Sequence, residues 1–432
     1  MAKKKIIILG AGLAGLSAAW HLKKRGIESA VFEREDAVGG LCRSKNINGF
    51  TFDYDGHLLH FKHRSTFNFI HDLLGNNLAR HKRNAWVYSF DRHIPYPFQA
   101  NLHALPSAII KECLLGFIQA SFGNHHRNKG NLQFFSWINK TFGKGIARHF
   151  MVPYNTKFWT VPPQQLTCEW LDGFIPVPLL KQVVEGAVED SQEQFGYNAH
   201  FWYPKKGGIN QLPLALAGRI KHTYTNCPAT EINLAKKEIT INSKAKEKFD
   251  FLVSTIPLPE IPYLIKDMPK EIRSLFRRLR WNSIFNLNLG IERKDDAGHH
   301  WVYFPEKNVS FFRVGFPHNF SAYNTPQGRS SLYIEVAYSK HKPIDKNKIV
   351  LSIKEDLEKT GLLGKKDRIL CQDINDIEYG YPIYDSHYSA AVKGIRQYLI
   401  ENNVFPCGRY GSWRYMSMED VLLDGRRIAG IF

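Results

Sequence analysis

Near the start of the chain the pattern of apolar and polar positions changes period twice. Residues 4–9 form a short β-rich apolar run, residues 13–25 repeat their apolar positions with helical spacing, and residues 28–33 return to a strand-like run. Further on, residues 64–74 predict a helix and residues 85–98 strand and turn material ending in Pro95 and Pro97. Residues 101–200 read mainly helical, broken by the polar stretch 123–130 and by the prolines between Pro153 and Pro178. Residues 249–255 predict a buried strand closed by Pro257 and Pro259, and the alternating segments 284–291, 301–304 and 332–337 predict a second sheet. Residues 349–357 predict a helix, and residues 404–407 a strand that leads through Gly408 and Gly411 to a last helix from about Met418. Within residues 108–122, Ile109, Ile110, Cys113, Leu114, Phe117 and Ile118 share one helical face, the mark of a core helix or of a membrane-docking surface.

The turn between the first strand and the first helix carries the chemistry. Gly10, Gly12 and Gly15, with Leu13 and Ala14 between the last two, fit G-x-G-x-x-G between a predicted strand and helix. Glu33 ends the next strand, where a carboxylate binds the hydroxyls of a ribose, and Arg34 follows it. Gly10 makes the turn, Gly12 lets backbone approach a pyrophosphate, and Gly15 lets the helix pack close, so that the helix N-terminus faces phosphate.

Composition narrows the reading. A chain of 432 residues with 44% hydrophobic, 13% aromatic and 23% charged residues is neither disordered nor fibrous, and its length predicts more than one folding unit. The net charge of +18 attracts anions, but the basic residues come in short scattered groups such as 3–5, 277–280 and 236–248. These groups read as solvated faces, so nucleic acid is not expected as a partner. Six dispersed cysteines without a Cys-x-x-Cys pair point to a reducing, cytoplasmic setting, and no apolar run has the length of a bilayer span. His57, His60 and His63 match no metal-ligand spacing, so no metal is expected.

The continuation Gly39-Gly40-Leu41-Cys42-Arg43 resembles the Gly-Gly-x-x-Arg extension of amine oxidases, protoporphyrinogen oxidases, carotene desaturases and UDP-galactopyranose mutases, which makes FAD the expected cofactor. End to end, the chain is most similar to the UDP-galactopyranose mutases. Gly56-His57 resembles their loop over the flavin, and Tyr154-Asn155-Thr156-Lys157-Phe158-Trp159 their Tyr-Thr-x-Lys-x-Trp segment. Phe311-Phe312-Arg313 resembles their diphosphate-binding strand, and residues 408–419 their Gly-Arg-x-Gly-x-Tyr-Arg-Tyr-x-x-Met-Asp pattern. Tyr381-Pro382 falls where that family has a turn near the substrate. Judged apart from the resemblance, Tyr154 and Trp159 read equally as core residues, and Arg409 and Arg414 as surface ion-pair partners.

The resemblance implies an α/β fold: a Rossmann-type, glutathione-reductase-like FAD-binding domain with an inserted helical cap and a second antiparallel sheet domain. The expected division is FAD-binding 1–84, 201–256 and 399–432, sheet 85–100 and 257–398, cap 101–200. It further implies contacts to FAD from Gly10, Gly12, Leu13, Ala14, Gly15, Glu33, Arg34, Gly39, Gly40, Leu41, Arg43, Gly56, His57, Gly408, Arg409, Tyr415, Met418 and Glu419. Substrate contacts are implied for Tyr154, Lys157, Trp159, Arg313, Tyr381, Arg409 and Tyr415, with His57, Arg313 and Arg409 as the catalytic set. The expected reaction interconverts the pyranose and furanose forms of a nucleotide sugar through an adduct at N5 of reduced FAD, in the service of cell-surface polysaccharide synthesis. NAD(P)H is the candidate reductant, and an oligomer remains open. An oxidoreductase of the amine oxidase type is the alternative. One departure counts against UDP-galactose itself: where the mutases carry a flap arginine, residues 170–178 hold no Arg or Lys, leaving Lys181 or Lys205-Lys206 as stand-ins.

Overall fold

The computed structural model describes residues 4–123, 132–171, 173–190, 196 and 199–432. Residues 124–130 of the predicted break, and Asp172 on the flap, lie outside these.

Strand Ile6–Leu9 is buried on both faces, as a run of four aliphatic residues requires. It is the centre of a five-stranded parallel sheet, with Ser29–Phe32 and then Thr223–Tyr224 on one side and Phe251–Ser254 and then Val404–Pro406 on the other. The central strand thus pairs on one side with a strand more than two hundred residues away in sequence, Ile6 facing Phe251, and the chain leaves and re-enters the sheet three times. Helix Leu13–Lys24 packs on the last helix, Met418–Ala429, where a Cβ on Gly425 would press on the Ala14 carbonyl. The Ser17 hydroxyl donates to the Leu422 carbonyl at 2.6 Å across that contact. Between Thr223–Tyr224 and Phe251–Ser254 lies an antiparallel meander of Ala229–Asn233, Glu238–Ile241 and Ala245–Lys248, which carries the basic group 236–248.

The second sheet has seven strands, in the order Ile369–Pro382, Trp281–Ile291, Ser330–Tyr338, Arg313–Gly315, Trp301–Tyr303, Ala85–Ser89, Arg92–Pro95. It is antiparallel except where Trp301–Tyr303 runs parallel to Ala85–Ser89. No hairpin links those two strands, so nothing forces them to run in opposite directions. Strand Ile369–Pro382 was not predicted, and Tyr381-Pro382 closes it instead of forming a turn. Its apolar alternation is interrupted by Asp373 and Asn375, which belong to a polar ladder. Asn375 donates to the Asn286 side chain at 3.0 Å, and Lys45 to Asp373 at 3.0 Å.

Helices Ser107–Phe122, Phe134–Ile146, Val152–Trp159 and Leu180–Val188 form the cap. The first two lie against each other because Gly116, Gly143 and Gly145 carry no Cβ; at each, one would meet backbone of the facing helix. In Ser107–Phe122, Cys113 and Phe117 are buried while Ile109, Ile110 and Leu114 pack partly buried on the same core, so this face is a core face. Among the described residues no helix is long and apolar enough to cross a membrane.

Candidate functional site

At the carboxyl ends of the parallel strands, where open α/β sheets bind ligands, lies a cavity of about 1050 Å³. Leu9, Phe32, Thr255 and Cys407, at or just beyond the ends of four strands, line it together with the large sheet and the cap.

One end is a glycine cradle. Gly10 has φ of +97°, Gly39 +118° and Gly40 +58°, values that glycine adopts without strain. A Cβ on Gly15 would collide with the Gly10 carbonyl, so close packing of helix on strand requires that glycine. A Cβ on Gly12 would meet nothing nearer than the Gly40 Cα at 3.9 Å, which leaves open space over the helix N-terminus. Helix Leu13–Lys24 has no side-chain cap there and no acidic residue in its first turn. Its free N–H groups therefore point at the cavity, an arrangement that fits a pyrophosphate. Glu33 is held by the Ala11 N–H at 2.7 Å and the Glu35 N–H at 3.0 Å. Arg34 pairs with Glu260 at 3.1 Å, and Arg43 donates to the Gly40 carbonyl at 2.9 Å while lying over Tyr54. Leu13, Ala14, Leu41, Gly56, His57, Gly408 and Met418 complete this side, Gly408 (φ +74°) standing where a Cβ would hit Ala14. Gly15 lies beneath the wall. Glu419 stands outside the wall, and its buried carboxylate accepts from the Lys62 N–H at 2.7 Å and the His63 N–H at 3.0 Å. It ties the loop after His57 to the last helix.

At the other end the sequence brings Tyr154, Arg313, Tyr381, Arg409 and Tyr415 to one wall. Arg409 donates to the Gly380 carbonyl at 2.9 Å and lies over the Tyr381 ring at 4.4 Å and the Tyr415 ring at 5.1 Å. Its Nε has no partner, and no carboxylate pairs with it among the described residues. Arg313 differs: its Nη2 donates to Glu335 Oε1 at 2.6 Å and its Nε to Oε2, a two-point clamp on a carboxylate with no exposed surface. Burial works against the Arg313 charge, and Glu335 more than restores it, leaving the guanidinium firmly protonated. Glu335 went unpredicted, although one acidic residue inside the apolar run 332–337 was its signal. Tyr96, Tyr303 and Tyr333, also unpredicted, line the same wall. His57 has its Nδ1 3.2 Å from the Asp55 carbonyl, and burial holds it below the usual histidine range, so it is neutral.

Two expected substrate residues do not reach the cavity. Lys157 points away and donates to the carbonyls of Phe304 at 2.9 Å and Glu306 at 2.7 Å; burial lowers its pKa to about 7. Trp159 is fully buried behind Tyr381, 4.8 Å from the ring of Trp170. The stand-ins for the flap arginine fail as well. Lys181 is exposed and pairs with Glu185, and Lys205 and Lys206 line a separate surface cleft. The flap instead presents Phe174, Ile175 and Pro176 to the cavity, Phe174 packing 4.4 Å from Tyr415. Arg414 is exposed, which leaves Arg409 as the cation of its segment in the wall. Among the described residues no group of His, Cys, Asp and Glu is arranged to hold a metal ion.

The fold is similar to that of a reduced UDP-galactopyranose mutase, with TM-score 0.93 and 28% identity over 99% of this chain and 93% of that one. A putrescine oxidase bound to putrescine matches with TM-score 0.68 and 15% identity over 99% and 98% of the two chains, a likeness of fold alone. By sequence, the 1-hydroxycarotenoid 3,4-desaturase of Flavobacterium sp. (strain P99-3) is 43% identical over 60 residues, 14% of this chain and 12% of that protein. The chain therefore spans only a small part of that relative's length. Residues 13–431 match the family described as flavin containing amine oxidoreductase, and FAD is the cofactor that this match and the mutase-like fold imply. With a glycine cradle at one end of the cavity and a family match across nearly its whole length, the chain belongs to the flavin-containing amine oxidoreductase family.

Proposed function

We propose that the chain is a flavin-dependent mutase that interconverts the pyranose and furanose forms of a nucleotide-diphosphate sugar. The observation that carries this reading is Arg409, a guanidinium in the cavity wall without a carboxylate partner, ringed by tyrosines. A planar cation so placed suits a phosphate, to which it donates two parallel hydrogen bonds. The mutase-like fold supports the same reading.

In this proposal Gly10, Gly12, Leu13, Ala14, Glu33, Arg34, Gly39, Gly40, Leu41, Arg43, Gly56, His57, Gly408, Tyr415 and Met418 hold FAD. Residues 1–84, 201–256 and 399–432 act as its domain. Reduced FAD, when bound, supplies the nucleophile toward the anomeric carbon, with NAD(P)H as a candidate source of its electrons. Arg409 and Arg313 take up the charge that develops on the departing diphosphate. Tyr154 offers a ring face to the base, and Tyr381 and Tyr415 donate to phosphate or sugar oxygens. Neutral His57 orders the loop over the ring. To test this, dithionite-reduced protein is incubated with UDP-, dTDP-, CDP- and GDP-sugars and the products are separated. Furanose product from one of them is expected; no conversion, with no change in the flavin spectrum on adding nucleotide diphosphates, removes the reading.

The oxidoreductase reading draws on the apolar flap, since Trp170, Phe174, Ile175 and Pro176 face the cavity where an arginine was expected. Oxygen consumption or dye reduction with amines or apolar substrates, in the absence of any nucleotide effect, would establish it.

A further inference from the structure

A glutamine side chain ties the flap to the body of the cap. Gln99, in the turn Phe98–Ala100, is 1% exposed, lines the cavity, and donates from Nε2 to the Pro176 carbonyl at 2.6 Å. The other end of its amide, Oε1, has no hydrogen-bond partner among the described residues. The turn that carries it is held from beneath. Phe98 is fully buried and stacks on Phe150 at 4.9 Å, and Phe150 stacks in turn on Tyr154 at 5.6 Å. The Ala100 carbonyl lies against Gly186, where a Cβ would come within 1.9 Å, and the Asn101 side chain donates to the Pro97 carbonyl at 3.0 Å. Gln99 therefore stands on a fixed base that is continuous with the Tyr154 ring.

The Pro176 carbonyl fixes which end of the amide is nitrogen. Exchanging the ends would set two carbonyl oxygens against each other, so Oε1 cannot find relief by turning. A buried acceptor left without a donor is costly, and such a group in a folded protein calls for a partner. The partner that fits is an N–H or O–H of a ligand. With Tyr154 offering its ring face to a base, the donor is the imide N3–H of uracil or thymine; cytosine presents a lone pair at that position. We propose that Gln99 is a specificity-determining residue whose Oε1 accepts the imide N–H of a pyrimidine base while its Nε2 holds the Pro176 carbonyl, so that recognition of the base and closure of the flap pass through one amide. Hydrogen bonds at the two ends of an amide polarise each other, so the base strengthens the bond to the flap. A ligand without that N–H leaves Oε1 buried and unpaired, and the closed flap is disfavoured. Residues 170–178 hold no Arg or Lys to draw the flap onto a diphosphate, and this amide supplies the closing contact instead.

The inference rests on the nucleotide-sugar reading of the cavity, and the test separates the two. UDP, N3-methyl-UDP and CDP are titrated into the FAD-loaded protein. Affinity is read by calorimetry, and the state of the flap by backbone hydrogen exchange over residues 173–179. UDP is expected to bind about tenfold more tightly than either of the others and to slow exchange in the flap where they do not. Gln99→Leu, close to the parent side chain in size, removes both ends of the amide. It is expected to bind the three nucleotides within about twofold of one another and to leave flap exchange unslowed by any of them. A residue with a merely structural role would weaken all three alike and keep the discrimination. Flap exchange in the parent, with UDP against N3-methyl-UDP, reads the same coupling without a substitution. Equal affinity of the parent for those two, equal slowing of its flap by both, or discrimination that persists in Gln99→Leu overturns the inference and leaves the nucleotide reading intact. If Gln99→Leu weakens UDP-glucose and leaves UDP untouched, Oε1 serves a sugar hydroxyl and the inference also falls. No binding of any of these nucleotides to the parent removes both.

Discussion

The glycine cradle and the Arg313–Arg409 wall present positive charge to one cavity in different ways. In the cradle the charge is partial and belongs to the backbone: free N–H groups at the start of Leu13–Lys24, exposed because Gly12 has no side chain and no acidic residue stands in the first turn. Neighbouring side chains change it little. At the wall the charge belongs to two guanidiniums, and their surroundings decide its worth. Arg409 is framed by tyrosines and carbonyls and keeps its full charge for a ligand, whereas Arg313 shares its charge with Glu335. A cradle made of backbone is general for pyrophosphates; a wall made of paired and unpaired arginines is selective.

The contrast can be broken at its strongest point first. Gly12→Glu places a carboxylate in the open space over the helix N-terminus, where the chain itself has room for it. The expected product is folded, colourless protein retaining less than about a hundredth of the flavin, read from visible absorbance and circular dichroism. Next, Arg313→Ala leaves Glu335 buried and unpaired, and is expected to cost about 3–5 kcal/mol of stability in denaturant titrations. A loss within about 1 kcal/mol would mean that the clamp carries no structural weight. Arg409→Ala removes no ion pair, so it is expected to leave stability and flavin content nearly unchanged. Binding of UDP-sugar should weaken by about 30-fold, the worth of a charge-assisted contact. Equal losses of nucleotide and flavin would place Arg409 on the cofactor instead. The smallest effect is expected from Ile175→Arg, which puts a cation on the apolar flap. It should tighten UDP-sugar binding about five- to tenfold if the diphosphate lies beneath the flap; unchanged affinity would favour the oxidoreductase reading.

How much of this was legible in the chain depended on distance along it. The strand, turn, helix and second strand that build the cradle are contiguous, residues 64–74 were read to the residue, and the last helix was expected from about Met418, where it starts. Their caps, glycines and apolar spacing are local signals. Strand Ile369–Pro382 escaped because its polar ladder mimics a loop until Asn286 and Asn288 stand beside it. Lys157 and Trp159 were assigned to the site by position in a motif. The direction of a side chain on Val152–Trp159 is set by what that helix packs against, and here the Phe304 and Glu306 carbonyls claim the amine.

By itself the sequence determined the glycine turn and the helix that points at it, the acidic residue at the end of the second strand, and the broad order of helices and strands. These follow from φ preferences and periodicity, which act over a few residues. Only the tertiary structure decided which arginine keeps its charge. Glu335 faces Arg313 as a cross-strand neighbour, twenty-two residues further along the chain, and clamps its guanidinium. Charge in a protein interior is a property of the packed neighbourhood, set by burial and pairing, and no stretch of sequence contains that neighbourhood.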